Sequence, residues 1–425
     1  MVTVSVPCDK SKLRGEIDET NFAGIYTASL PCAAVDETEE VRAALRNPIG
    51  SLPLAELAKD VLDVCVIASD HTRPVPSRII MPELLKELRR YNPSIRITIL
   101  IATGFHRETT KAELIAKFGE KIVEEEKIVV HDSSDQNMLT HLGTLPSGGE
   151  LSINRLAAEA SLLVSEGFIE PHFFAGFSGG RKSVLPGIAA RETVFANHCA
   201  EFINDPHSRT GILDGNPIHR DMLYAAEKAN LRFILNVVID PAKRIVRAFA
   251  GDMKLAHQAG CDFLKKAAGV NVPESDIAIT SNGGYPLDQN VYQCVKSATA
   301  GEAAVREGGC IIVCAGCRDG HGGESFYRML SSYSAAEILA ATAATPRNKT
   351  IPDQWQYQIL ARIMQTKKVI FAGVVCDKEI IRTMGMDVAG DLQEAIAMAL
   401  DHCGSAAKIA VIPEGVSVIV KKMKD

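Results

Sequence analysis

No stretch of this 425-residue chain approaches the run of about 18 apolar residues that a membrane-spanning helix requires. No membrane role is therefore expected. Nor is there a basic excess: 46 Lys and Arg against 52 Asp and Glu leave a formal net charge of −6. That balance argues against a general nucleic-acid binder, whose phosphate contacts need a basic surface. The opening residues, MVTVSVPCDKSKLRGE, lack the charged-then-apolar layout of a secretory signal. Eleven cysteines are scattered from Cys8 to Cys403, an odd number and without the second pair that would complete a zinc site. Reduced thiols in a cytoplasmic protein are the expectation, rather than a disulfide framework.

What is present is ordinary for a soluble enzyme: 46% hydrophobic and 23% charged residues. The length exceeds what one core usually supports, so two domains are expected. Short β-branched runs at 61–68, 95–102, 127–131, 160–165, 233–239, 276–280, 310–315, 368–372 and 408–412 read as strands. Helix-like segments at 82–91, 111–118, 219–228, 255–268, 335–344, 354–364, 378–384 and 392–402 fall between them. Such alternation predicts an α/β protein with mainly parallel sheets. The stretch AAGVNVPES at 267–275 suggests a division into 1–270, a catalytic and cofactor-binding domain, and 271–425, a domain adding substrate-binding residues. The active-site cleft is expected between the two.

Ligands in such folds gather beyond the carboxyl ends of strands, and the polar clusters of this chain lie there. Asp70-His71-Thr72-Arg73 follows the first strand, with prolines at 74 and 76 to stiffen the turn. Arg73 can grip a carboxylate or phosphate with two parallel hydrogen bonds; the competing reading is a solvated turn. His106 and Arg107 follow the second strand in TGFHR. The densest cluster runs from Pro171 to His198, with His172, Arg181, Lys182 and His198 around a GFSGG turn. Gln293 and Lys296 share one face of a helix that follows the loop NGGYP. Cationic and protonatable groups thus crowd a few loops of an acidic protein, which points to a small anionic substrate or cofactor and histidine acid–base chemistry.

Two tempting patterns fail. GFSGGRKS puts Arg181 where a phosphate-binding loop of the G-x-x-x-x-G-K-[ST] type needs glycine. Cys310, Cys314 and Cys317 match the spacing of a radical iron–sulfur motif, but on a strand the first two sulfurs would stand roughly 13 Å apart. Core cysteines are the better reading.

Taken together, DHTRP at 70–74, ATGFHR at 102–107, EPHFFAGFSGGRKSVLPGI at 170–188, NH at 197–198 and YPLDQNVYQCVK at 285–296 resemble the nickel-dependent lactate racemase family. The resemblance implies a nickel pincer nucleotide, a pyridinium mononucleotide whose two sulfur-bearing arms grip nickel, joined covalently to Lys182. It implies His198 as the protein ligand to nickel, Asp70, His71, Thr72 and Arg73 lining the cofactor, and His106 and His172 as the acid–base pair. Arg73, Gln293 and Lys296 would bind the substrate carboxylate. Proteins that build the cofactor would be its partners.

On that resemblance the chain is a racemase or epimerase of a 2-hydroxy acid, working by reversible hydride transfer. Removing hydride avoids a carbanion next to a carboxylate and asks of the protein only a base for the hydroxyl proton. The competing readings are a hydroxy-acid oxidoreductase or lyase, and a non-catalytic carrier of the nickel nucleotide. Phe105, Phe173, Phe174, the loop 318–325 and the single tryptophan, Trp355, are further candidates to shape the pocket.

Overall fold

The structure, a computed structural model, describes residues 1–423. It contains two six-stranded sheets and several two-stranded ribbons. In the first sheet the strands run in the order Ile245–Gly251, Leu231–Ile239, Leu162–Phe168, Asp63–Ser69, Arg96–Ala102, Lys127–Val130. All neighbours are parallel except the outermost pair formed by Ile245–Gly251 and Leu231–Ile239. Every residue of Leu162–Phe168 is buried, as a central parallel strand covered on both faces should be. The chain builds outward in one direction from Asp63–Ser69 and then returns to its other side with Leu162–Phe168. The crevice at that reversal is where an α/β sheet binds ligands. The loops after these two strands, 70–76 and 169–183, flank it.

The second sheet has the order Asp387–Ala389, Lys368–Ala372, Val305–Cys314, Ser275–Ser281, Ile409–Ile412, Phe22–Ile25, and is wholly parallel. The helix Val291–Ala304 follows the central strand Ser275–Ser281 and starts beyond its carboxyl end. One hydrophobic cluster spans both sheets, from Ile67 and Leu163 of the first to Ala278 and Ile311 of the second. A second cluster, including Val66, Ile80, Leu84 and Phe233, fills the opposite face of the first sheet.

The nine strand segments read from the sequence are all present, within a few residues at their ends. The helix expected from 82 begins at Ser77 instead, and Pro82 lies inside it. Its pyrrolidine suits a first turn, but Pro76 starts the helix one turn earlier. A division near residue 270 is kept as our proposal, with one feature that crosses it. The ribbon Val2–Cys8/Ser11–Ile17 packs on the helix Leu392–Cys403, and Phe22–Ile25 is hydrogen-bonded beside Ile409–Ile412. The start of the chain thus lies with the second sheet.

Candidate active site

Asp70 ends the central strand with 1% of its surface exposed, and its carboxylate is fully engaged. Oδ1 accepts from the Thr72 hydroxyl at 2.8 Å, and Oδ2 lies 2.6 Å from His106 Nδ1. Burial alone would push the Asp70 carboxyl up, but the His106 ring, Thr72 and Arg73 together bring it below its ordinary value. A carboxylate at Nδ1 forces that nitrogen to carry the proton. His106 Nε2 is then the free base, on a side chain that is 40% exposed.

His172 is set in the opposite sense. Its Nδ1 faces the backbone N–H groups of Ala175 and Phe174 at 3.3 and 3.5 Å, so it accepts and the proton of the neutral ring sits on Nε2. Burial holds His172 well below an ordinary imidazole, and the charges of Lys182, Lys296 and Arg73 add to that. Lys182 Nζ stands 3.4 Å from His172 Nε2 and 5.8 Å from the centre of the Phe174 ring. Burial, then Arg181 and Arg73, likewise hold the Lys182 ammonium well below its usual range.

Phe174 stands edge-on to both His172 and His198, at 4.5 and 5.1 Å between ring centres. His198 closes the helix Arg191–Asn197, is 5% exposed, and is pushed down to about 3 by burial and by Lys182. Its Nδ1 is buried without a hydrogen-bond partner. The other wall of His198 is Trp355, edge-on at 5.2 Å, from the helix Gln354–Thr366. Trp355 in turn faces Phe105, which stacks on Phe195 at 5.1 Å. These aromatic rings bring the two halves of the chain together around His198. Trp355, the single tryptophan and one of the candidates to shape the pocket, stands in this aromatic wall.

The glycine-rich turn owes its shape to Arg181 rather than to an anion. Arg181 has no exposed surface, and its guanidinium donates to the carbonyls of Ala175, Phe177 and Gly179. Its other neighbours are the imidazoles of His219 and His257. Burial brings this arginine down to about 10. Gly179, at φ +76°, lets the turn pass the Phe168 carbonyl and Asn236, which a Cβ would meet at 2.8 Å. Arg181, grouped by sequence with the anion-binding cations, is therefore taken up by the turn itself, while its neighbour Lys182 faces His172 and the Phe174 ring.

Other expected residues are placed as follows. Among the described residues, the side chains of Arg73, Gln293 and Lys296 have no hydrogen-bonding partner. Burial and then Arg73 hold Lys296 at about 8, with Glu170 opposing. The Glu170 carboxyl has Lys296, Arg73 and Lys182 as neighbouring charges, which draw it down against the raising effect of the surrounding protein. His71 has its ring nitrogens toward Thr109, at 3.0 Å, and Glu113, at 3.9 Å, bridging two loops. Arg107 is paired with Glu113. Cys310 and Cys314 are core residues of their strand, and Cys317 lies 4.0 Å from Cys294 in the interior. Arg318, a candidate for pocket shaping, is held by Asp9.

The chain resembles known proteins along nearly its whole length. Residues 8–211 match the family description "lactate racemase N-terminal domain", and residues 270–420 match "lactate racemase C-terminal domain". The chain is 54% identical over 425 residues to a lactate racemase of Thermoanaerobacterium thermosaccharolyticum, covering 99% of this chain and all of that one. It is 54% identical over 424 residues to a lactate racemase of Lactiplantibacillus plantarum, again over 99% of this chain and the whole relative. The fold superimposes on the lactate racemase apoprotein of T. thermosaccharolyticum with a TM-score of 0.96, at 53% identity and covering 99% and 100% of the two chains. A Thermotoga maritima protein shares the fold at a TM-score of 0.63 and 18% identity, over 92% of this chain and all of that one.

Proposed function

This chain belongs to the lactate racemase family, and from that premise we propose that it interconverts the two hands of a 2-hydroxy acid. Lactate is the substrate its relatives' names point to. The observation that carries the reading is the opposed setting of His106 and His172. One presents a bare Nε2 and the other an Nε2–H, with Lys182, Lys296 and Arg73 as the cations acting on His172.

The residues present fit the nickel pincer nucleotide that the family resemblance implies. His198 is held neutral, and its buried Nδ1 has no protein partner, as suits a nickel ligand. Lys182, whose ammonium is disfavoured, suits covalent attachment through its amine. Asp70, His71, Thr72 and Arg73 would line the cofactor, the first three braced by hydrogen bonds within and beside their loop. The chemistry supplied by the bound group is reversible uptake of hydride from C2 of the substrate.

The protein's part is then orientation and proton handling. Arg73, Lys296 and Gln293, with donors left free by the fold, hold the substrate carboxylate. His106 Nε2 takes the hydroxyl proton of one enantiomer, with Asp70 fixing the ring and balancing the charge it gains. For the other enantiomer His172 handles the proton from the opposite side. The protein is placed in the cytoplasm, receiving its cofactor from the proteins that build it; among the described residues, no helix is long and apolar enough to cross a membrane.

Incubating cofactor-loaded protein with D-lactate and, separately, with L-lactate tests the reading. Both should converge on the same mixture of enantiomers, followed by chiral chromatography. Stoichiometric pyruvate or a dehydrated product would favour an oxidoreductase or lyase. Full function of a His106→Ala, His172→Ala double variant would favour a carrier. An unchanged enantiomer across a panel of 2-hydroxy acids would defeat the racemase reading.

A further inference from the structure

The loop 70–76 places Asp70 and Arg73, yet it is short of internal support. Among the described residues, the backbone hydrogen bond with both partners inside it runs from Arg73 N–H to the Asp70 carbonyl, at 3.3 Å; the Val75 and Pro76 carbonyls accept only from the helix that follows. What holds it lies underneath. Glu166, on the fully buried strand Leu162–Phe168, has 1% of its surface exposed. Its Oε1 accepts the N–H of Ser69, at 2.9 Å, the residue before the loop. Its Oε2 accepts the hydroxyl of Ser77, at 3.1 Å, the residue after it. One buried carboxylate thus ties both ends of the loop.

The middle is held by Lys117, from the last turn of the helix Lys111–Phe118. Its Nζ donates to the Arg73 carbonyl at 3.4 Å. The same helix binds the loop again through Glu113, which faces His71 and pairs with Arg107 of the neighbouring loop. Burial pushes the Glu166 carboxyl up, and Lys117 is the main opposing charge; burial lowers Lys117, and Glu166 and then Asp70 oppose that. Each charge thus favours the charged form of the other.

We infer that Glu166 and Lys117 are positioning residues that set where Asp70 and Arg73 stand, and so act on the reaction without touching substrate. The inference rests on the racemase reading for what the loop does. Because Lys117 holds the backbone of Arg73, its loss acts first on carboxylate binding. Because Glu166 also ties the residue before Asp70, its loss reaches the His106 base as well.

The test uses the full chain loaded with cofactor, as wild type, Lys117→Met, Lys117→Arg, Glu166→Gln and Glu166→Leu. Racemisation kinetics are measured from D-lactate, with melting temperature and hydrogen exchange of the peptide over 69–77 on the same preparations. Lys117→Met is expected to raise KM roughly tenfold, the worth of one hydrogen bond from a charged donor. Exchange over 69–77 should quicken while 162–168 stays protected, and Lys117→Arg should return both toward wild type. Glu166→Gln, which keeps an acceptor for Ser69, should lose less than Glu166→Leu, which should lower kcat and raise KM together. A lower melting temperature with unchanged KM, kcat and loop exchange would reduce the pair to fold stability and overturn the inference. Altered kinetics with wild-type exchange over 69–77 would overturn it too. If Glu166→Leu does not fold, the two Lys117 variants decide the matter. Wild-type protein that racemises nothing, with loop exchange still quickened in Lys117→Met, would count against the racemase reading and leave the positioning role standing.

Discussion

Lys182 Nζ and His172 Nε2 stand 3.4 Å apart, with the Phe174 ring against both. Two cations at that distance with little water between them would repel strongly, so the pair carries at most one charge. With burial and the neighbouring arginines acting in the same sense, the Lys182 ammonium is disfavoured and more of it stands as free amine than in a surface lysine. In cofactor-free protein, a limiting amount of an amine-acylating ester at about pH 7.5 should modify Lys182 ahead of the surface lysines, because only the neutral amine attacks. Peptide mass spectrometry reads the order of labelling. Labelling of Lys182 only after the exposed lysines would contradict the depressed ammonium.

Asp70→Asn keeps the side-chain shape but removes the acceptor that fixes the proton on His106 Nδ1. Turnover should fall by about a hundredfold or more, in the range that misplacing a general base costs. KM should move less than kcat, since the substrate's carboxylate partners are untouched. Equal turnover in the two proteins would show that the 2.6 Å contact does not prepare the base.

His198→Ala should lower the nickel content of protein prepared with the cofactor-building enzymes, while the organic adduct on Lys182 persists. Intact-protein mass and elemental analysis separate the two. Full nickel occupancy in the variant would remove His198 from the ligand set. Loss of the covalent mass in Lys182→Ala, with His198 intact, completes the pair of assignments.

Several histidines away from the proposed nickel ligand are pinned neutral: His131 and His257 by burial, and His219, at about 3, by burial and Arg181. Their folded values lie below the unfolded value near 6.5, so the unfolded chain binds more protons below that pH. Stability should therefore be complete above pH 6.5 and fall as the pH drops toward 5, before most carboxylates titrate. Each such histidine contributes at most about 1.4 kcal/mol per pH unit. Melting temperatures across that window should decline, and a His257→Gln variant should decline less steeply. A flat profile would mean these rings are protonated in the folded protein.

The strands and most helices of the two sheets were legible because parallel strands buried on both faces read as short β-branched runs, as at Lys368–Ala372. The loops bearing Asp70, His106, His172 and Lys182 were legible because polar clusters stood where those runs stopped. Other features were not. Nothing local marks Phe22–Ile25 as part of the second sheet, since its partner is almost four hundred residues away. The charge of Arg181 suggested an anion, whereas a cage of carbonyls and two imidazoles satisfies it. Glu166 stands just past the strand segment read at 160–165, and its role depends on contacts with Ser69 and Ser77 that only folding creates.

The strand Phe22–Ile25 carries a consequence for how the protein comes into being. On the ribosome it emerges well before Ile409–Ile412, the neighbour that completes its hydrogen bonding. Until that strand is made, Phe22–Ile25 waits unpaired. Loss of Phe22–Ile25 would bare the edge of Ile409–Ile412, whereas loss of Ile409–Ile412 would bare the edge of Ser275–Ser281 and leave Phe22–Ile25 unpaired as well.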